Sequence, residues 1–232
     1  PHLVLHLSLR LQRRIGIRDS VSGAQNARGI ALVIDVYRCF TTEAIAFQNG
    51  AKKIILVAEI EEALYLKSKG VGDLVMGEVG GSKPDGFDFG NSPYELKDID
   101  LSGKTIIQST RAGTVGVTNV SGAEIIYGGS LVVAKATTIA IQSRNPSYVS
   151  LVAMGLEGRI RSDEDEQCAL YLRNVLQGRF PDKKAVKSLI MAGEESQKYD
   201  DSNLTQWPVE DRTMALQIDS HNFALRITVE DG

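Results

Sequence analysis

Asp35 ends a short apolar run, Ala31 to Ile34, with Arg38 three residues on and Thr41 and Thr42 behind it. An acid at the carboxyl end of a buried strand, then a guanidinium and hydroxyls at a helix start, suits a metal ion and an anion meeting in one crevice. Left ionised and unpaired beside so much apolar sequence, Asp35 would be costly, so something must hold its charge. A simple Asp35–Arg38 pair with Thr41 as a helix cap would also account for these residues, and the segment alone does not decide between the two.

A second acidic group sharpens the choice. Acids in Asp163-Glu164-Asp165-Glu166 are expected at any helix start from the macrodipole. However, Cys168, Leu172 and Leu176 form an apolar stripe, and Asp165 lies on the same face with Glu164 at its border. Two inward acids need a cation. A divalent metal shared with Asp35 would supply it, held by Asp35 with Glu164 or Asp165, and an all-oxygen ligand set favours Mg2+.

Two further segments could bind an anion. The glycine-rich stretch from Gly77 to Gly90 and the residues just after it offer Glu78, Lys83, Asp88 and Asn91, on a backbone able to approach a ligand closely. Ser109, Thr110 and Arg111 stand between a strand and a helix, where free N–H groups make an anion cradle or hydroxyls simply cap the helix. In the phosphate-handling reading, Asp35 and Arg38 are catalytic and Asp88 is the acid that protonates a leaving alkoxide. Thr41, Thr42, Lys83, Asn91, Ser109, Thr110 and Arg111 then bind substrate. Either Asp35 or a metal-activated water attacks phosphorus, and the residues leave that open.

Other chemistries lack their parts. The histidines are His2, His6 and His221, all near the termini, which argues against histidine base or phosphohistidine chemistry. Tyr37 stands where a paired-aspartate phosphotransferase would carry its second acid. Neither Cys39 nor Cys168 is followed six residues later by an arginine. Gly103-Lys104-Thr105 has Asp98 where a phosphate-binding loop needs its first glycine, and it precedes a strand instead of following one.

Short apolar runs alternating with helical patterns position these residues. Strands are predicted over 31–34, 53–57, 74–76, 105–108, 124–127 and 148–153, with helices over 43–48, 59–69 and from Ala112. An α/β fold follows, three-layer α/β/α with a mostly parallel central sheet, and right-handed crossovers bring the strand ends at Asp35, Glu78, Ser109 and Gly155 to one edge. After Phe180 helices give way to an alternating strand over 223–229. Leu3, Leu5, Leu7 and Leu9 alternate as in an edge strand, so residues 1–29 read as an irregular or edge-strand segment of a single domain over 1–232.

The bulk composition narrows the partners. The 232 residues are 43% hydrophobic and 24% charged, enough for a sizeable core without a bilayer-length apolar run. A net charge of −3 gives no footprint for nucleic acid or an anionic membrane. Two distant cysteines read as reduced core residues, which points to the cytoplasm. A small phosphorylated molecule is the expected partner, and a homodimer is compatible with this reading.

These segments, in this order, resemble the 2-phosphosulfolactate phosphatase family of coenzyme M biosynthesis, often called ComB-like. The resemblance rests on Val33-Ile34-Asp35-Val36-x-Arg38-x-x-Thr41-Thr42, Asn49-Gly50-Ala51 and Gly86-Phe87-Asp88-x-Gly90-Asn91-Ser92-Pro93. Gly113-Thr114, Glu164-Asp165-x-x-Cys168-Ala169 and Phe223-Ala224-Leu225 support it, over about residues 30–231. It implies a three-layer α/β/α fold and Mg2+-dependent hydrolysis of a 2-hydroxy sulfonate phosphate monoester. Three positions depart from the family pattern. Val79 replaces an arginine, Arg111-Ala112 interrupts a Thr-Asn-Gly-Thr turn, and an asparagine is missing around 132–135. The substrate end away from the phosphate is where these changes bear. A non-catalytic phosphate-ligand-binding protein, or an α/β enzyme acting differently on such ligands, is the alternative.

Overall fold

The ladder of strand β2 (Gly29–Ile34) organises the molecule, of which a computed structural model describes residues 14–230. Before it come β1 (Arg14–Asp19) and α1 (Ser20–Gln25). After it the chain runs through α2 (Cys39–Gln48), β3 (Lys53–Val57), α3 (Ile60–Ser68), β4 (Leu74–Gly77), α4 (Pro93–Leu96) and β5 (Thr105–Ser109). Next are α5 (Gly113–Thr118), β6 (Ala123–Gly129), α6 (Ala134–Ser143), β7 (Tyr148–Ala153) and α7 (Asp163–Leu176). Helices α8 (Lys183–Met191), α9 (Glu194–Gln197) and α10 (Val209–Ala215) precede the closing strand β8 (Leu225–Ile227).

The single sheet expected from the sequence is two sheets. A five-stranded one runs β1-β7-β2-β6-β8 and a three-stranded one β3-β5-β4. All pairings are parallel except β6 with β8. The alternation at Leu3 to Leu9 lies outside the described residues. Within 1–29 the described part forms edge strand β1, helix α1 and a short turn into β2.

Side-chain alternation explains the layering. From β2, Ile30, Leu32 and Ile34 enter one cluster with Leu151 of β7 and Cys168, Leu172 and Leu176 of α7. Ala31 and Val33 face the opposite way, onto Phe40 and Ala44 of α2 and Val117 of α5. In the small sheet, Ile106 of β5 meets Ile45 and Ala46 of α2, while the next residue, Ile107, packs with Ala63 of α3. Helix α2 therefore lies between the two sheets, and every residue from Cys39 to Ala46 is buried. The large sheet is the centre of an α/β/α stack, and the small sheet is added beyond α2 and α5. Among the described residues no helix is long and apolar enough to cross a membrane.

Close approach of α2 to the large sheet depends on Gly128 of β6, where an added Cβ would enter the ring of Phe40. Phe40 is itself fully buried. Gly128→Val is expected to lower stability by about 1–3 kcal/mol through this overpacking, read as a lower urea midpoint with an unchanged slope.

Candidate active site

The carboxyl ends of β2, β4 and β7 open onto one cavity of about 290 Å³, whose walls include Asp35, Glu78, Gly155 and Glu164. Ser109, at the end of β5, joins them through the backbone, its carbonyl accepting the Glu78 N–H at 3.1 Å. The predicted convergence of strand ends is thus present, although the strands belong to two sheets.

Asp35 sits at the base, 4% exposed. Its Oδ1 accepts the Cys39 N–H at 3.1 Å, which fixes it against the first turn of α2. Helix α5 comes so close that a Cβ at Gly113 would lie 2.5 Å from Cys39 Sγ and 2.9 Å from Asp35 Oδ2. Burial, reinforced by the charge of Glu78, pushes Asp35 up to about 7 against the pull of the Cys39 and Gly113 N–H groups. Glu164, in the first turn of α7, is pushed up to about 8 by burial and then by the charges of Glu195 and Asp35, against the pull of its own N–H and the nearby Ser162 hydroxyl. Its Oε2 has no hydrogen-bond partner among the described residues. Below Asp35, Glu43 of α2 is also raised to about 8 by burial and accepts a hydrogen bond from Cys39 Sγ at 3.6 Å.

Asp165 differs from both. Its Oδ1 accepts the Val36 N–H and its Oδ2 the Gly155 N–H, each at 2.8 Å. Among the described residues no group of three or more His, Cys, Asp or Glu side chains is arranged to hold a metal ion. Of the three acids predicted to share a metal, Asp35 and Glu164 line the cavity and Asp165 does not, its two oxygens being turned to the backbone of the loops behind it.

Arg38 lines the cavity but is strongly committed. Nη1 donates to Asp211 Oδ2 at 2.7 Å and to the Gln206 carbonyl at 2.9 Å, and Nη2 donates to the Gly81 carbonyl at 3.0 Å. Its guanidinium also lies 4.4 Å from the centre of the Trp207 ring. Asp211 uses its other oxygen to accept Ser92 Oγ at 2.6 Å and the Tyr94 N–H at 3.0 Å. Asp35 is thus not the main partner of Arg38, so the simple ion-pair reading of that segment does not hold.

The remaining predicted residues divide. Arg111 reaches the cavity rim, its N–H held by Glu78 Oε1 at 2.9 Å. Asn91 also lines it, with Oδ1 accepting Gln108 Nε2 at 3.2 Å. Lys83 instead faces a neighbouring hollow on the other side of Arg38, Gly81 and Asn91. Thr41 Oγ1 donates to the Val36 carbonyl at 2.8 Å, and Thr42 Oγ1 to the Arg38 and Asn91 carbonyls at 3.0 Å. Ser109 Oγ donates to the Ala58 carbonyl, and Thr110 Oγ1 accepts the Thr114 N–H. These four hydroxyls are buried fold contacts, because unpaired backbone groups at the strand–helix turns take them first. Asp88 is turned away altogether. Although burial opposes ionisation, Lys67 Nζ and the Val75 N–H at 2.7 Å hold it below the usual carboxylate range, which suits a structural anion and not an acid.

Sequence reasoning missed the wall supplied by 195–207. Glu195, Lys198, Leu204 and Trp207 all line the cavity. Trp207 carried the one available signal, as the single tryptophan of the chain. Gly81 admits its indole, which would clash with a Cβ there. Five acids and three bases line the cavity, and it turns more negative as Asp35 and Glu164 lose their protons.

A family model described as 2-phosphosulpholactate phosphatase matches residues 17–215. This chain belongs to the 2-phosphosulfolactate phosphatase family. A protein of Caldicellulosiruptor saccharolyticus named "Probable 2-phosphosulfolactate phosphatase" is 38% identical over 156 residues, covering 66% of this chain and 64% of the relative. One of the same name from Carboxydothermus hydrogenoformans is 41% identical over 153 residues, 66% of this chain and 63% of the relative. One from Thermotoga petrophila is 39% identical over 134 residues, 58% and 57%. These matches span less than two thirds of each relative's length.

Two outcomes follow from the buried charges. Carboxylates raised in the fold leave stability complete below about pH 4 and remove it as pH rises through their folded values. With Asp35 at about 7 and Glu43 and Glu164 at about 8, metal-free protein should lose stability as pH rises. Urea midpoints at about pH 5 and about pH 8 should show the fall, and Glu43→Gln should flatten it. Separately, Asp211→Ala leaves Arg38 buried without its charge partner and is expected to cost about 3–5 kcal/mol, measured by chemical denaturation.

Proposed function

We propose that the protein is an Mg2+-dependent phosphatase acting on a small 2-hydroxy acid phosphate monoester, 2-phosphosulfolactate or a close relative. The observation that carries this reading is the pair of buried carboxylates, Asp35 and Glu164, facing one small cavity in which Glu164 Oε2 lacks a partner. An all-oxygen pair fits Mg2+, which takes one or two protein carboxylates and fills its other positions with water and phosphate. Bound there, the ion would neutralise charge on the phosphoryl oxygens.

The chain's own groups do the rest. Asp35 and Glu164 hold the cation, and the Cys39 N–H keeps Asp35 in place for it. Three of the five Arg38 N–H groups are committed, which leaves Nε–H and one Nη2–H for a phosphate oxygen. Arg111, at the rim, adds charge near the outer end of the substrate. The cavity volume of about 290 Å³ suits a substrate of only a few carbons. A cytoplasmic setting belongs to the same reading and is supported by Cys39 and Cys168, both free and buried.

A phosphate-release assay over small monoesters, including 2-phosphosulfolactate and phospholactate, tests the proposal with and without Mg2+. Release should require the ion, and Asp35→Asn should lower it by about 10³-fold with the fold retained by circular dichroism. Binding of Mg2+ and phosphate without turnover of any monoester would instead mark a non-catalytic ligand-binding protein.

A further inference from the structure

Beyond Ile34 the β2–β7 ladder has no more rungs to give. Its last bond runs from the Met154 N–H to the Ile34 carbonyl at 3.0 Å. One chain then leaves through Val36 towards α2, and the other turns at Gly155, which has φ +67 and no room for a side chain against the Ile160 carbonyl. Asp165 stands at this fork, 2% exposed. Its two oxygens accept the Val36 and Gly155 N–H groups, one from each departing chain, both at 2.8 Å.

We propose that Asp165 is a positioning residue and not a metal ligand. It takes the place of the missing rung and clasps the loop that carries Asp35 to the turn after β7. Because Asp165 follows Glu164 in α7, the same clasp sets the first turn of that helix against both strands. Asp165 does not line the cavity and both its oxygens are held by these amides, whereas Glu164 lines it with Oε2 unpartnered, so an oxygen-seeking cation finds its second ligand at Glu164. The inference rests on the proposed site, but its main readout does not need turnover.

Amide hydrogen exchange on the 15N-labelled full chain tests it. In the wild-type protein, Val36 and Gly155 should stay protected when Mg2+ is added. Loss of either protection on adding the ion would show Asp165 swinging to the metal and would overturn the proposal. This arm needs no variant to fold. In Asp165→Asn, one amide should exchange at least about tenfold faster, and kcat should fall about 10–100-fold with KM changed by less than about threefold. Mn2+ affinity, read by water proton relaxation, should stay within about threefold. A variant that keeps both protections but loses Mn2+ binding, or one that leaves exchange and kcat unchanged, overturns it. If the phosphatase reading itself fails, no monoester is hydrolysed by wild-type protein while both amides remain protected.

Discussion

Like charges buried side by side are the constraint on which the rest of this structure turns. Asp35, Glu164 and Asp165 sit together at one edge of the large sheet, and each is pushed above its ordinary range chiefly by burial. Such a group persists only if the fold supplies compensation from several directions. Asp165 is answered by two backbone donors and Asp35 by the first turn of α2. Glu164 is left with an oxygen unanswered at the cavity wall.

The second charged assembly holds the opposite wall. Asp211, fully buried in α10, binds Arg38, Ser92 and the Tyr94 N–H, so it ties the C-terminal helices to the β2–α2 loop and to the start of α4. Arg38 in turn grips the carbonyls of Gly81 and Gln206. The glycine-rich loop and the segment around Trp207 are thereby clamped to one guanidinium. The cavity is a junction of three chain regions distant in sequence, kept together by few but well-shielded contacts.

Much of the fold was legible because strands such as Lys53–Val57 and Tyr148–Ala153 are short apolar runs with clear stops. The division into two sheets was not. Helix α2 is buried all round, so its sequence shows no polar face to announce that it separates two layers, and β5 reads the same whether Ile106 and Ile107 face helices of one sheet or of another. Asp35, Glu164 and Arg111 could be found by type and position. Thr41, Thr42 and Thr110 were misleading because a hydroxyl at a strand–helix turn looks alike in sequence whether it awaits a ligand or bonds a carbonyl. Asp88 misled for a related reason, since its partner Lys67 lies on α3 and no spacing rule links the two. Asp211 and Lys198 lie in ordinary helical text, and only the folded arrangement brings them to the site.

The stacking of Trp207 on Arg38 has a practical side. It is the single indole of the chain, and it lies in the cavity wall beside the guanidinium. Any occupant that alters the field around that cation alters the emission of a fluorophore with no background from another tryptophan. The molecule is thus built with an optical gauge in the place where a guest would arrive, and occupancy can be followed without label, dye or coupled enzyme.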